Sequence, residues 1–95
     1  MLRLEPKRIK TELATVNGWK LQGRQISKLY IFEDFAQAVK FVNRVARFAK
    51  SMNHHPDIDI RYNRVMLTLT THDEGGLTMR DFRLARKIDG IKPSV

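Results

Sequence analysis

The chain of 95 residues carries 18 lysines and arginines against 10 acidic residues, a formal net charge of +8, with 42% hydrophobic residues and no cysteine. That length suits one domain, residues 1–95, with a modest two-layer core, and the lack of cysteine excludes disulfides and thiolate metal sites and fits a reducing cytoplasm. No run approaches the ~20 apolar residues needed to span a bilayer, and the charged stretch Met1–Lys10 does not read as a signal peptide.

The elements follow in chain order. Ile9, Leu13 and Val16 recur at helical spacing over Pro6–Val16, with Pro6 acceptable in a first turn and Gly18 beyond the end. Trp19–Leu21 and Gln25–Ile31 read as a strand pair turning at Gly23, and Trp19 is expected in the core or at an interface. Asp34–Lys50 is the clearest helix. Phe35, Val39, Val42, Ala46 and Ala49 form one apolar stripe, Ala38, Phe41, Val45 and Phe48 a second, and Gln37, Lys40, Arg44 and Arg47 fall opposite. Asp34 with Gln37 resembles a capping box at its start. Asp57–Tyr62 and Val65–His72 alternate apolar and polar residues with period two, as half-buried strands do. With only Asn63 and Arg64 between them, they predict a hairpin in which Tyr62 faces Val65, Ile60 faces Leu67 and Ile58 faces Leu69. Leu77–Ile91 closes the chain as a helix opened by Thr78 and Asp81 and ended by Gly90 and Pro93. The fold predicted is α+β: an N-terminal helix, then β-β-α-β-β-α, with helices packed on one face of a four-stranded antiparallel sheet.

The three histidines all fall at one end of this arrangement. Continued outward, the hairpin register sets His55 against His72, with Cβ atoms ~5 Å apart. Pro56 interrupts the ladder, so His54 can turn toward the same pocket. Adjacent histidines in extended chain point apart, and no HExxH or cysteine pattern accompanies them, so a metal centre is the weaker reading. Imidazoles, which titrate near neutrality, can supply an acid and a base together. Asp81 lies on the apolar stripe of the last helix and is expected to hold its start by reaching back to Thr78.

The run HHP, five residues, Tyr62, nine residues, His72, eight residues, Asp81 resembles the signature of the pterin-4a-carbinolamine dehydratases. The segments NHHPD, TTHDEGGLTMRD and LARKID, and upstream Gly18-Trp19, FEDFAQAVKFV and Val45-Ala46, are similar to that family too, so the likeness covers nearly the whole chain. Lys50 stands where an acidic residue is common in the family. The resemblance implies loss of water from a 4a-hydroxytetrahydropterin to give quinonoid dihydropterin, in recycling of a tetrahydrobiopterin-type cofactor, with no metal or organic cofactor. It makes His54 and His72 the proton-transfer pair and His55 a pterin-orienting residue, whereas the strand pairing alone selects His55 with His72; the division stays open. Asn53, Thr70, Thr71 and Asp73 flank the histidines as pterin contacts, with Pro56 and Asp81 in structural support.

Two expectations concern partners. The two apolar stripes of Asp34–Lys50, with Phe35, Phe41 and Phe48, exceed what one side of a small sheet covers, and with the resemblance they point to a homodimer or homotetramer. The competing class is a non-enzymatic module that dimerises or contacts a transcription factor or nucleic acid. Its basic residues are dispersed along the chain, not interleaved with aromatics, and a solvated basic surface is the plainer expectation.

Overall fold

The computed structural model describes residues 2–91. The elements are α1 (Pro6–Leu13), β1 (Lys20–Gln22), β2 (Gln25–Ile31), α2 (Phe35–Met52), β3 (Asp57–Arg61), β4 (Arg64–Leu69), a 3-10 turn at His72–Glu74, and α3 (Met79–Asp89). The strands form one antiparallel sheet ordered β1-β2-β4-β3, so the α+β architecture is the expected one. Helix α1 ends before Val16 and α3 before Ile91, each within a turn of the expected boundary. Pro93 lies outside the described residues.

Period-two alternation decides which side of the sheet is covered. Ile26 on β2 and Val65, Leu67 and Leu69 on β4 have no solvent exposure, while Leu29 and Met66, on the opposite row, remain exposed. The helices therefore lie on one face. Helix α2 contributes Ala38, Phe41, Val45 and Ala49, and α3 contributes Phe82, Leu84, Ala85 and Ile88. Full burial of each large aliphatic or aromatic side chain in this layer stabilises the fold by about 1.5–3 kcal/mol. The N-cap of α2 is half of the box expected: Asp34 accepts from the Gln37 backbone N–H at 2.9 Å.

The β3–β4 register differs from the one predicted. Arg61 faces Arg64, Ile60 faces Val65 and Ile58 faces Leu67, so the turn is Tyr62-Asn63 and not Asn63-Arg64. The cause is tertiary. Asn63 extends the β2–β4 ladder: Phe32 N–H donates to its carbonyl at 2.8 Å, and its amide donates to the Phe32 carbonyl at 2.9 Å. Tyr62 is thereby forced to φ 52°, an uncommon conformation for a bulky residue, and is exposed at the turn instead of pairing with Val65. The slip is by two residues, so the predicted faces survive. The pairing of His55 with His72 does not: the ladder ends at Asp57–Thr68, and β4 stops at Leu69.

At the far end of the sheet Asp89 ties α3 to the β1–β2 region. Its carboxylate accepts from the Asn17 backbone N–H at 3.1 Å and from Trp19 Nε1, Lys28 Nζ and Tyr30 Oη at 3.0 Å each. Burial, and then the charge of Asp89, push the Tyr30 phenol well above its ordinary pKa. Trp19 is part of the core, as one of the two expected placements.

Candidate active site

The end of α2 places the first histidine. Asn53 takes the left-handed conformation at φ 49°, which asparagine tolerates, and its N–H and that of His54 both return to the Ala49 carbonyl. Chain direction therefore reverses at Asn53, and His54 is turned inward before Pro56 leads into β3. The His54 side chain is buried, and its Nε2 lies 2.6 Å from Asp81 Oδ1.

Asp81 sits in the first turn of α3 with no solvent exposure. Its Oδ2 accepts from the Thr78 backbone N–H at 2.9 Å, completing the capping box that the Thr78/Asp81 spacing predicts. The same oxygen accepts from the Thr71 hydroxyl at 2.9 Å, and Thr71 and Thr78 hydroxyls are 2.8 Å apart. Thr71 uses its proton on Asp81, so Thr78 must donate to Thr71. A carboxylate only accepts, which makes His54 Nε2 the donor and leaves the lone pair of the neutral ring on Nδ1. Nδ1 has no hydrogen-bond partner among the described residues, yet it is not a buried orphan, so it reaches solvent. The result is a fixed imidazole with its basic nitrogen facing outward.

Thr71 also links this pair to the second histidine. Its N–H and C=O bond the Gly76 carbonyl and N–H at 3.0 and 3.3 Å, closing a tight loop that carries His72 in a 3-10 turn. Gly75 at φ 72° ends that turn, where a side chain would be strained. Next to it, a Cβ on Gly76 would stand 2.7 Å from Arg3 Cδ. The Leu4 N–H donates to the Leu77 carbonyl at 2.7 Å, so the N-terminal segment braces the loop from outside. His55 and His72 are both exposed.

The histidines thus share one end of the sheet, by a route other than the predicted hairpin pair: His54 through Asp81 and Thr71 to His72. Of the flanking residues, Thr71 is buried with its hydroxyl on Asp81, and Thr70 is half-buried with its hydroxyl on the Arg24 carbonyl at 2.7 Å. Asn53 and Asp73 are exposed. Sequence reading missed the inward role of Thr71 and Thr78. The signal existed for Thr71, because period two places it on the buried row after Val65, Leu67 and Leu69. Among the described residues no three His, Asp or Glu side chains are grouped so as to hold a metal ion. A cleft of about 320 Å³ at the opposite end of the sheet, floored by Tyr30, Phe32 and Phe41, holds no histidine.

The family described as Pterin 4 alpha carbinolamine dehydratase matches residues 2–91. A provisionally named pterin-4-alpha-carbinolamine dehydratase of Acidobacterium capsulatum is 53% identical over 91 residues, covering 96% of this chain and 99% of that protein. One of Sulfurisphaera tokodaii, named likewise, is 52% identical, covering 96% and 98%. The crystal structure of a transcriptional coactivator/pterin dehydratase from Brucella melitensis superposes with a TM-score of 0.86 at 38% identity, covering 90% of this chain and 94% of that one. A pterin dehydratase-like RuBisCO assembly factor of the alpha-carboxysome shares the fold, with a TM-score of 0.65 at 24% identity over 77% of this chain and 87% of that one.

Proposed function

The chain belongs to the pterin-4a-carbinolamine dehydratase family, and we propose that it is a hydro-lyase acting on a 4a-hydroxytetrahydropterin through histidine acid–base chemistry. The observation that carries this reading is the buried 2.6 Å bond from His54 to Asp81, which fixes the ring and turns Nδ1 outward. Dehydration breaks the C4a–O bond and removes the N5 proton. One group must protonate the departing hydroxyl while another accepts the N5 proton, and water leaves with quinonoid dihydropterin as the other product. In the arrangement proposed, His54 Nδ1 is the base, His72 on its closed loop is the acid, and exposed His55 orients the pterin. Positioned proton transfer of this kind contributes about 10²–10⁴-fold. Recycling of a tetrahydrobiopterin-type cofactor in the cytoplasm is the context that suits this activity.

The test is turnover of synthetic 4a-hydroxytetrahydropterin. His54→Ala and His72→Ala should each lower it by about tenfold or more with the fold retained, and chelator should leave the parent rate unchanged. Parent-like turnover in both variants would remove them as acid and base, and loss of activity in EDTA would move the chemistry to a metal. The name of the Brucella protein keeps a non-enzymatic interaction module as the second reading. Such a module has no need of the buried His54–Asp81 pair.

We also propose that the chain forms a homodimer or homotetramer. Support comes from a different surface than α2: Phe41 is buried in the core, and Phe48 is half-buried beneath Lys87, so only Phe35 of the three aromatic rings is well exposed. A grouped set of exposed apolar side chains lies on the sheet, at edge residues Ile58 and Ile60 and on the open face at Leu29, Ile31 and Met66. An edge strand with free backbone groups and an apolar row is a ready template for pairing.

A further inference from the structure

The net charge of this protein is confined to one layer. Helices α1, α2 and α3 hold eleven of the 18 lysines and arginines but three of the 10 acids, which accounts for the whole of the +8. In the rest of the chain seven cations and seven acids cancel. The three helical acids contribute no negative surface. Asp81 is buried in the active-site network, Asp89 is surrounded by its donors, and Glu12 is buried against Arg8 and Arg86, whose hydrogen bonds hold its carboxyl below the ordinary range. Lys40 and Arg47 on α2 and Arg83 on α3 point away from the buried stripes, and with Lys7, Lys10 and Lys50 they are exposed with no ion pair to a described residue. All the helices lie on one side of the sheet, so residues dispersed in sequence become a single cationic face in the fold.

We infer that this helical face docks the phosphate backbone of double-stranded nucleic acid, without reading its bases. Helix α2, at 18 residues, is about 27 Å long, a length over which a duplex presents roughly sixteen phosphates. The chemistry of the face argues against other polyanions. A bilayer-bound helix needs an apolar row to insert, and a single-strand groove needs aromatic platforms. On the helices the only well-exposed large apolar side chain is Phe35, at one end of α2. What remains is spaced charge, which matches a regular phosphate array and carries no sequence information. Lys40, Arg47 and Arg83 take no part in the His54–Asp81–Thr71 network, so docking at these positions does not depend on the dehydratase reading.

Fluorescence anisotropy with a labelled 20-base-pair duplex of arbitrary sequence tests this in the whole chain. Four to six phosphate contacts predict that affinity falls about 10²–10³-fold between 50 and 200 mM salt, equally for unrelated duplex sequences. The triple variant Lys40→Glu/Arg47→Glu/Arg83→Glu should lose at least tenfold in affinity at 50 mM salt while keeping dehydratase turnover. The control reverses the same number of charges on the open sheet face, Lys20→Glu/Arg61→Glu/Arg64→Glu, and, compared with the helical triple at the same oligomeric mass by light scattering, should retain most of the binding. Should the Glu triple fail to fold, the Gln triple takes its place, with proportionally smaller loss. Equal loss in both triples would mean that net charge alone attracts the duplex, and the assignment of a face falls. It falls too if the parent does not bind duplex at 50 mM salt, or binds anionic phosphatidylglycerol vesicles in preference to it.

Discussion

Replacing Asp81 by asparagine keeps the size of the side chain and changes only what it can accept. Asp81 Oδ2 takes two donors, the Thr71 hydroxyl and the Thr78 N–H, while Oδ1 takes one, His54 Nε2. An amide has one acceptor oxygen, and it goes where two donors converge, because an NH2 group set against the Thr78 N–H would cost about 1–3 kcal/mol. The NH2 group therefore faces His54. Nε2 must then accept, the ring proton moves to Nδ1, and the neutral imidazole carries an N–H there where it had carried a lone pair. If His54 is the base, kcat should fall by about 10²–10⁴-fold with KM little changed. Exchange of charged for neutral hydrogen bonds should cost about 1 kcal/mol of stability, lowering Tm by roughly 4–8 °C. Stopped-flow absorbance of quinonoid product gives the rate, and nitrogen-15 shifts of the imidazole report the tautomer. An Asp81→Asn enzyme within threefold of the parent, or one whose His54 tautomer is unchanged, would show that Asp81 only caps α3.

Thr71→Val removes the hydroxyl that holds Asp81 Oδ2 and should lower kcat about tenfold without changing KM, with Thr71→Ser restoring it; equal rates for valine and serine would exclude a positioning role. Glu12→Gln should lower Tm at pH 7. The hydrogen bond from Arg8 holds the Glu12 carboxyl below its ordinary value of 4.5, so its contribution is present above that pH and lost as pH falls through the folded value. The Tm difference between parent and variant should therefore shrink below about pH 4.5, and a gap that persists in strong acid would contradict the ion-pair account. Light scattering at 100 µM in physiological salt should give at least a dimer mass; about 11 kDa would refute assembly.

Element type and order were legible in the sequence because they rest on local physics. The apolar stripe of α2, the alternation in β3 and β4, and the Thr78/Asp81 cap need only neighbours within a few residues, and each is found within a turn of its expected bounds. The buried row of β4 could even have placed Thr71 inward. Register was not local. Tyr62-Asn63 and Asn63-Arg64 are equally short turns, and the choice between them is made by Phe32 on β2, which recruits Asn63 into its ladder through two hydrogen bonds. The histidine cluster shows the same division. The spacing placed the three histidines at one end of the sheet, but the link from His54 to His72 runs through Asp81 and Thr71, because the end of α2, the end of β4 and the start of α3 meet at one corner. Surface charge belongs to the tertiary level entirely: cations scattered from Lys7 to Lys87 become one face only when three helices pack on the same side of a sheet.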